Sequence, residues 1–181
     1  MELKKEKWLK KDIKEFEEYL KSLQNKEKQK WTQNIVRSNL KVLAIKNPIL
    51  KQLANEIYKG NYESFLNYNL NNYYEEVLIN AFIINKIKEP KLKIKYLEEY
   101  KKNEMCWATC DALKFDNNIE YLELSKKYTQ SNEPYTIRIG IIMLFAFIET
   151  NIDDIFEILK QINKDDYYIN MAYSWLLCEC Y

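Results

Sequence analysis

The chain contains no histidine. That removes the commonest general base near neutral pH and the commonest metal ligand, so proton transfer would fall to Asp, Glu, Lys, Tyr or Cys. Glycine and proline are almost missing, with 2 and 3 among 181 residues. Such scarcity argues against sheet corners and tight turns, and for helices joined by short polar loops. Neither sign of charge is in excess: 28 basic against 27 acidic residues leave +1. There is then no global field to draw in a polyanion, and any such binding needs a local patch. No apolar run is long enough to span a bilayer; the longest, Ile139 to Ile148, is too short. The charged start, Met1 to Lys7, has no apolar region behind it, so no signal peptide is expected. A soluble, cytoplasmic chain follows as the expectation, with residues 1–181 forming one domain large enough for a real core. Abundant Lys, Asn, Ile and Tyr fit a bacterium with an AT-rich genome.

What is present is helical periodicity. Ile13, Phe16, Leu20 and Leu23 recur at helical spacing over Lys11 to Leu23, and Trp31, Ile35 and Val36 continue it over Glu27 to Val36. Asn47-Pro48 reads as an N-cap followed by a first helical residue, with Leu50, Leu53, Ala54 and Ile57 on one face and Gly60 as the stop. A short segment, Tyr62–Leu70, precedes a strong helix expected over Tyr74–Ile87, and further helices are expected after Glu89-Pro90 and around Trp107. Others are expected over Asn117–Tyr128, after Ser131-Asn132-Glu133-Pro134, and over Asn151–Ile162 and Asp166–Tyr181. The fold class is therefore all-α. Amphipathic pairs joined by polar turns suggest a HEAT-like helical-repeat solenoid, with an irregular bundle as the competing arrangement. Cys106, Cys110, Cys178 and Cys180 lack the spacing and turn residues of a zinc knuckle and read as small core residues.

The segment Cys106-Trp107-Ala108-Thr109-Cys110-Asp111 carries the most chemistry. On a helix, Trp107 and Asp111 stand one above the other on one face. A flat aromatic surface beside a carboxylate suits a planar cation such as an alkylated purine. Taken alone, the same residues have plainer readings. Trp107 and Trp175 could be packing residues. Asp111 could be a surface charge or a salt-bridge partner, on a face shared with Lys114. Arg138, beside Ile141 and Phe145, could snorkel or pair with an acid such as Glu133. The lysines cluster over Lys4–Lys11 and Lys86–Lys95, where phosphate contact and plain solvation are both open.

In combination these residues resemble the bacterial HEAT-like repeat alkylpurine DNA glycosylases, the DNA alkylation repair enzymes, from about Val36 to the end. Ala44-Ile45-Lys46-Asn47-Pro48-Ile49-Leu50-Lys51-Gln52-Leu53-Ala54 looks like that family's early motif. Trp107-Ala108-Thr109-Cys110-Asp111 is similar to its W-x-x-x-D motif. Arg138 matches an arginine that opens a later helix, and Trp175 the tryptophan of the helix after that. The resemblance implies hydrolysis of the N-glycosidic bond of cationic N3- or N7-alkylated purines in double-stranded DNA, without metal or cofactor, by a monomer in the nucleoid. It implies Asp111 as the catalytic carboxylate and Trp107 and Trp175 against the lesion. It also implies Arg138 on a phosphate, with Lys46, Lys51 and Lys114 as further candidate phosphate contacts. The leaving base is already cationic, so no strong general acid is needed.

The chain also departs from the pattern. The family usually continues past the Trp175 helix, so the last C-terminal helices are expected to be missing. The usual glycine at the head of the first motif is Ala44, an exchange expected to hinder close backbone approach to phosphate. The alternative function is a non-catalytic helical-repeat module that binds DNA or a protein partner.

Overall fold

In the computed structural model, which describes residues 1–181, the periodic segments become eleven α-helices and one 3₁₀ turn. There is no sheet; Lys41 and Tyr73 form only an isolated parallel bridge. No helix is long and apolar enough to cross a membrane.

Helix α1 (Lys10–Ser22) buries Ile13, Phe16 and Leu20. Phe16 meets Trp8 and Phe65 edge to face, with centroids 5.9 and 5.3 Å away. The Asp12 carboxylate accepts the Leu9 N–H at 2.8 Å and pairs with Lys5 at 2.9 Å, satisfying a free donor at the helix start. Helix α2 (Lys26–Val36) is capped by Asn25, whose side chain accepts the Lys28 N–H. Of its expected apolar face only Val36 is buried; Ile35 is exposed, and Trp31 is 65% exposed.

Helix α3 (Asn47–Tyr58) begins one residue earlier than expected. Lys46 occupies the cap position and Asn47 is already helical, which frees its amide for another use. Gly60 does not stop the helix with a left-handed turn; it has no positive φ. Its role is steric, because a Cβ there would lie 2.5 Å from the Lys5 carbonyl oxygen. Helix α4 (Tyr62–Leu66) leads to α5 (Tyr74–Ile84), buried on nearly every side. Helix α6 (Pro90–Tyr100) is capped by the Glu89 carboxylate. The five-residue α7 (Trp107–Asp111) is followed by α8 (Ile119–Thr129) and α9 (Pro134–Leu144). The 3₁₀ turn Phe145–Phe147 ends α9. Helices α10 (Ile152–Lys160) and α11 (Tyr167–Glu179) follow.

Helix α5 packs on α3, α6 and α7, and helix α9 packs on α7, α8 and α11. The short α7 thus lies between the two central helices. Two hydrophobic clusters result. One runs from the N-terminal segment to α7 and the second from the 3₁₀ turn to α11, with α8 and α9 feeding both. Not all cysteines are core residues. Cys106 and Cys110 are buried, but Cys178 is exposed near the end of α11, on a face that neither cluster covers.

Candidate functional site

Five hydrogen bonds fix α7. Thr109 Oγ1 accepts the Cys106 N–H at 2.9 Å, closing the first turn. The Tyr100 hydroxyl donates to the Thr109 carbonyl at 2.9 Å inside the core. Beyond Asp111, the Asn85 side chain donates to the Ala112 carbonyl at 2.8 Å and accepts the Lys114 N–H at 2.7 Å. The Trp107 indole N–H donates to the Ile35 carbonyl at 3.2 Å, tying α7 to the last turn of α2.

This frame sets Trp107 and Asp111 on the wall of an open cleft of about 620 Å³. The floor is apolar, with Tyr74, Leu78 and Phe82 from α5, and the rim is polar, with Lys51, Lys86, Lys114 and three asparagines including Asn47. Lys51 lies 5.6 Å from the Phe82 ring and Lys86 5.7 Å from Tyr58. None of these three lysines is among the chain's ion pairs. The only carboxylate on the wall is Asp111.

Asp111 is held from behind. Arg138 Nε donates to Oδ1 at 2.8 Å and Nη2 to Oδ2 at 2.7 Å, a bidentate charge-assisted pair. The Arg138 side chain is 2% exposed against 19% for Asp111. Its remaining Nη1 donates to the Tyr168 carbonyl in the first turn of α11. The structure thus places Arg138, expected on a phosphate, against Asp111 and the Tyr168 carbonyl. Every residue from Thr136 to Leu144 on α9 is buried, and the guanidinium's donors point at Asp111 and the Tyr168 carbonyl. Its partner is Asp111 and not Glu133. Each oxygen of Asp111 accepts a single bond from Arg138, which leaves each with acceptor capacity.

Trp107 also faces a second cleft, of about 460 Å³, shared with Ile35, Arg37, Tyr167, Tyr168 and Met171. The indole divides the two clefts. Trp175 lines neither. It is 45% exposed, its ring packs on Phe145 at 4.5 Å, and its N–H donates to Glu179 at 3.2 Å. It stands two turns beyond Tyr168 on α11, about 10 Å along the axis. The structure thus brings Trp107, Asp111 and Arg138 together and leaves Trp175 on the same helix as the second cleft's aromatics. Lys51 and Lys114 reach the first cleft, whereas Lys46 is exposed outside it.

Asn47, Asn85 and Arg37 escaped the sequence reading; Asn47 was hidden by its resemblance to a cap. Lys86, one of the Lys86–Lys95 run for which phosphate contact was open, lines the cleft. That run is mixed in character. Lys93 is buried, donating to the Lys114 carbonyl at 2.6 Å between the Phe115 and Tyr121 rings, and burial lowers its pKa. Of the N-terminal run, Lys5 is committed to Asp12.

Burial also pushes the thiols of Cys106 and Cys110 above their usual range. Neither is a thiolate at neutral pH, so nucleophilic sulfur does not contribute here. What the arrangement offers is an oriented carboxylate beside an indole, under a rim of unpaired cations. Such a site can hold an anionic backbone at its edge and stabilise positive charge at its centre.

A family model described as DNA alkylation repair enzyme matches residues 16–181. No curated protein and no solved structure matches the chain.

Proposed function

The chain belongs to the DNA alkylation repair enzyme family, and from that premise we propose that it is a DNA glycosylase for cationic N3- and N7-alkylpurines in duplex DNA. In this reading the helix pairs form one HEAT-like repeat domain, and the duplex lies along the face that carries the two clefts. The observation that carries the proposal is the Asp111 carboxylate, clamped by a buried arginine and presented beside Trp107 in a cation-rimmed cleft.

The chemistry follows from charge. An alkylated purine leaves with the C1′–N electron pair and becomes neutral, so its departure needs no proton. The sugar left behind is an oxocarbenium-like cation. Asp111 stabilises that cation, and a free lone pair of its carboxylate accepts a hydrogen bond from the attacking water. Water oxygen bonds to C1′ and its proton passes to the carboxylate or to solvent. Arg138 fixes the orientation of the carboxylate and stays behind it. Trp107 offers its face to the cationic base, an attraction of about 0.5–2 kcal/mol. Trp175 meets the duplex backbone farther along α11, away from the lesion, and Lys51 and Lys114 hold phosphates, with Lys86 joining them.

The test is release of 7-methylguanine and 3-methyladenine from methylated duplex DNA. Wild type releases both, and Asp111→Asn releases them about 10²-fold more slowly, the scale of losing one aimed electrostatic group. Asparagine leaves the Arg138 charge unpaired, so the variant's helicity and duplex binding are measured beside its activity. A folded, DNA-binding Asp111→Asn that releases base at the wild-type rate would rule out the carboxylate's role. Duplex binding by wild type with no base release favours a non-catalytic DNA-binding module. The engagement of both Asp111 oxygens by Arg138 is the observation that suits that second reading.

A further inference from the structure

Arg37 is the chain's second arginine, and its setting is unlike that of Arg138. It closes α2 with φ 49° and ψ 36°, in the left-handed region that non-glycine residues rarely occupy. The conformation is enforced from both sides. Its N–H donates to the Gln33 carbonyl at 3.0 Å. The Gln33 side-chain amide donates to the Ser38 carbonyl and, at 3.2 Å, to that of Leu40. Gln29 donates to the Val42 carbonyl at 2.7 Å. Two glutamines of α2 therefore pin the connection that follows, and Arg37 is the residue bent to make it possible.

The strained residue lines the second cleft with Trp107, Tyr167 and Tyr168. Its guanidinium takes part in none of the chain's seven ion pairs. A glycine would adopt this backbone without strain. An unpaired arginine held there, on the wall of a cleft, points from strain toward function. The first cleft has its unpaired cations in Lys51, Lys86 and Lys114. Across Trp107, the second cleft has a single cationic lining residue, Arg37.

We propose that Arg37 is a DNA phosphate-binding residue, receiving the backbone where it crosses Trp107 from the first cleft into the second. This rests on the reading that the clefts take duplex DNA. It assigns to Arg37 the phosphate contact that burial denies to Arg138. The planar fork of an arginine suits a phosphate bidentately, and the aromatic neighbours leave that fork without a competing carboxylate.

The experiment is duplex binding by the full chain across a salt series, with Arg37→Gly and Arg37→Lys beside wild type, and thermal unfolding of all three. Loss of one phosphate contact makes the slope of log K against log salt shallower by about 0.9. The expectation is that shallower slope for Arg37→Gly with an unfolding midpoint at or above that of wild type, because the backbone strain is relieved. Arg37→Lys keeps the wild-type slope. A merely structural arginine would give the reverse, a lower midpoint and an unchanged slope, and that result overturns the proposal. So does a wild type that fails to bind duplex at low salt. Base release is scored separately: a chain that shows the predicted slopes yet releases no alkylpurine contradicts the glycosylase reading and supports the role of Arg37.

Discussion

Glu76 shows how strongly one side chain can tune this molecule. It sits in the first turn of α5, buried, with Oε2 accepting the N–H groups of Asn72 at 2.7 Å and Tyr73 at 3.0 Å. Its Oε1 is buried with no partner. Desolvation dominates, aided by the negative charge of Glu17 on α1 and opposed by the backbone donors and Lys21, and its pKa is pushed up to about 7. Burial raises the neighbouring Glu75 as well. An acid with a raised folded pKa binds more protons folded than unfolded in the interval between the two values. Stability contributed by Glu76 is therefore present below pH 4.5, declines as pH rises to about 7, and stays lost above that. The whole change amounts to about 3 kcal/mol. Glu76→Gln is expected to unfold at a higher denaturant concentration than wild type at pH 8.5 and at nearly the same one at pH 4. Equal midpoints at both pH values would contradict an ionisation penalty. None of this is visible in the sequence, where Tyr-Tyr-Glu-Glu reads as an ordinary acidic helix start. The same limit governs the site. The four-residue spacing of Trp107 and Asp111 is legible because α7 is a single helical turn. The role of Arg138 is not, because α9 is apolar on every side and periodicity cannot say which way a lone arginine points.

The connection between α2 and α3 shows what an element boundary hides. Its helices are legible from Trp31, Ile35 and Val36 and from Asn47-Pro48, but the backbone between them depends on a residue about thirty positions away. The Glu75 carboxylate accepts N–H groups from Leu43 at 2.9 Å and Ala44 at 2.7 Å. Gathering these donors forces Ala44 to φ 59°. A β-carbon in that region costs about 1–2 kcal/mol. The glycine expected at this position thus has a conformational reason, and the close approach that matters is to Glu75, inside the protein. Ala44→Gly is expected to stabilise the fold by up to about 1 kcal/mol, the relieved strain less the added freedom of the unfolded chain. Denaturant midpoints at constant m-value check it, and a destabilised variant would show that the loop is not strained there. Helix α2 marks the other limit of legibility. Trp31, Ile35 and Val36 repeat as a core face should, yet Trp31 and Ile35 stay exposed and only Val36 is buried.

At the scale of the molecule, the site sits on the joint between two cores. Ile139 and Met143 of α9 belong to the cluster that includes α7, while Ile137, Ile141 and Leu144 belong to the one that includes α11. Arg138 lies between Ile137 and Ile139, and its guanidinium bonds to α7 on one side and to the Tyr168 carbonyl of α11 on the other. It is thus the polar tie across an apolar seam. Breaking a buried pair from one side costs about 3–5 kcal/mol, because the partner is left without its counter-charge. In Arg138→Ala the loss also frees the Tyr168 carbonyl, so the cost falls unevenly. Amides of α9 and α11 are expected to exchange hydrogen faster by a factor of ten or more, while those of α3 and α5 keep their protection. Native-state hydrogen exchange resolved by helix reads this directly. Uniform acceleration would mean that the two clusters unfold as one and that the seam has no independent mechanical meaning. A graded response has a consequence for the proposed chemistry. Any motion of α11 against α7 pulls on the arginine that aims Asp111, so a duplex bridging Tyr168 and Lys51 across Trp107 would hold the two cores, and with them the carboxylate, in register.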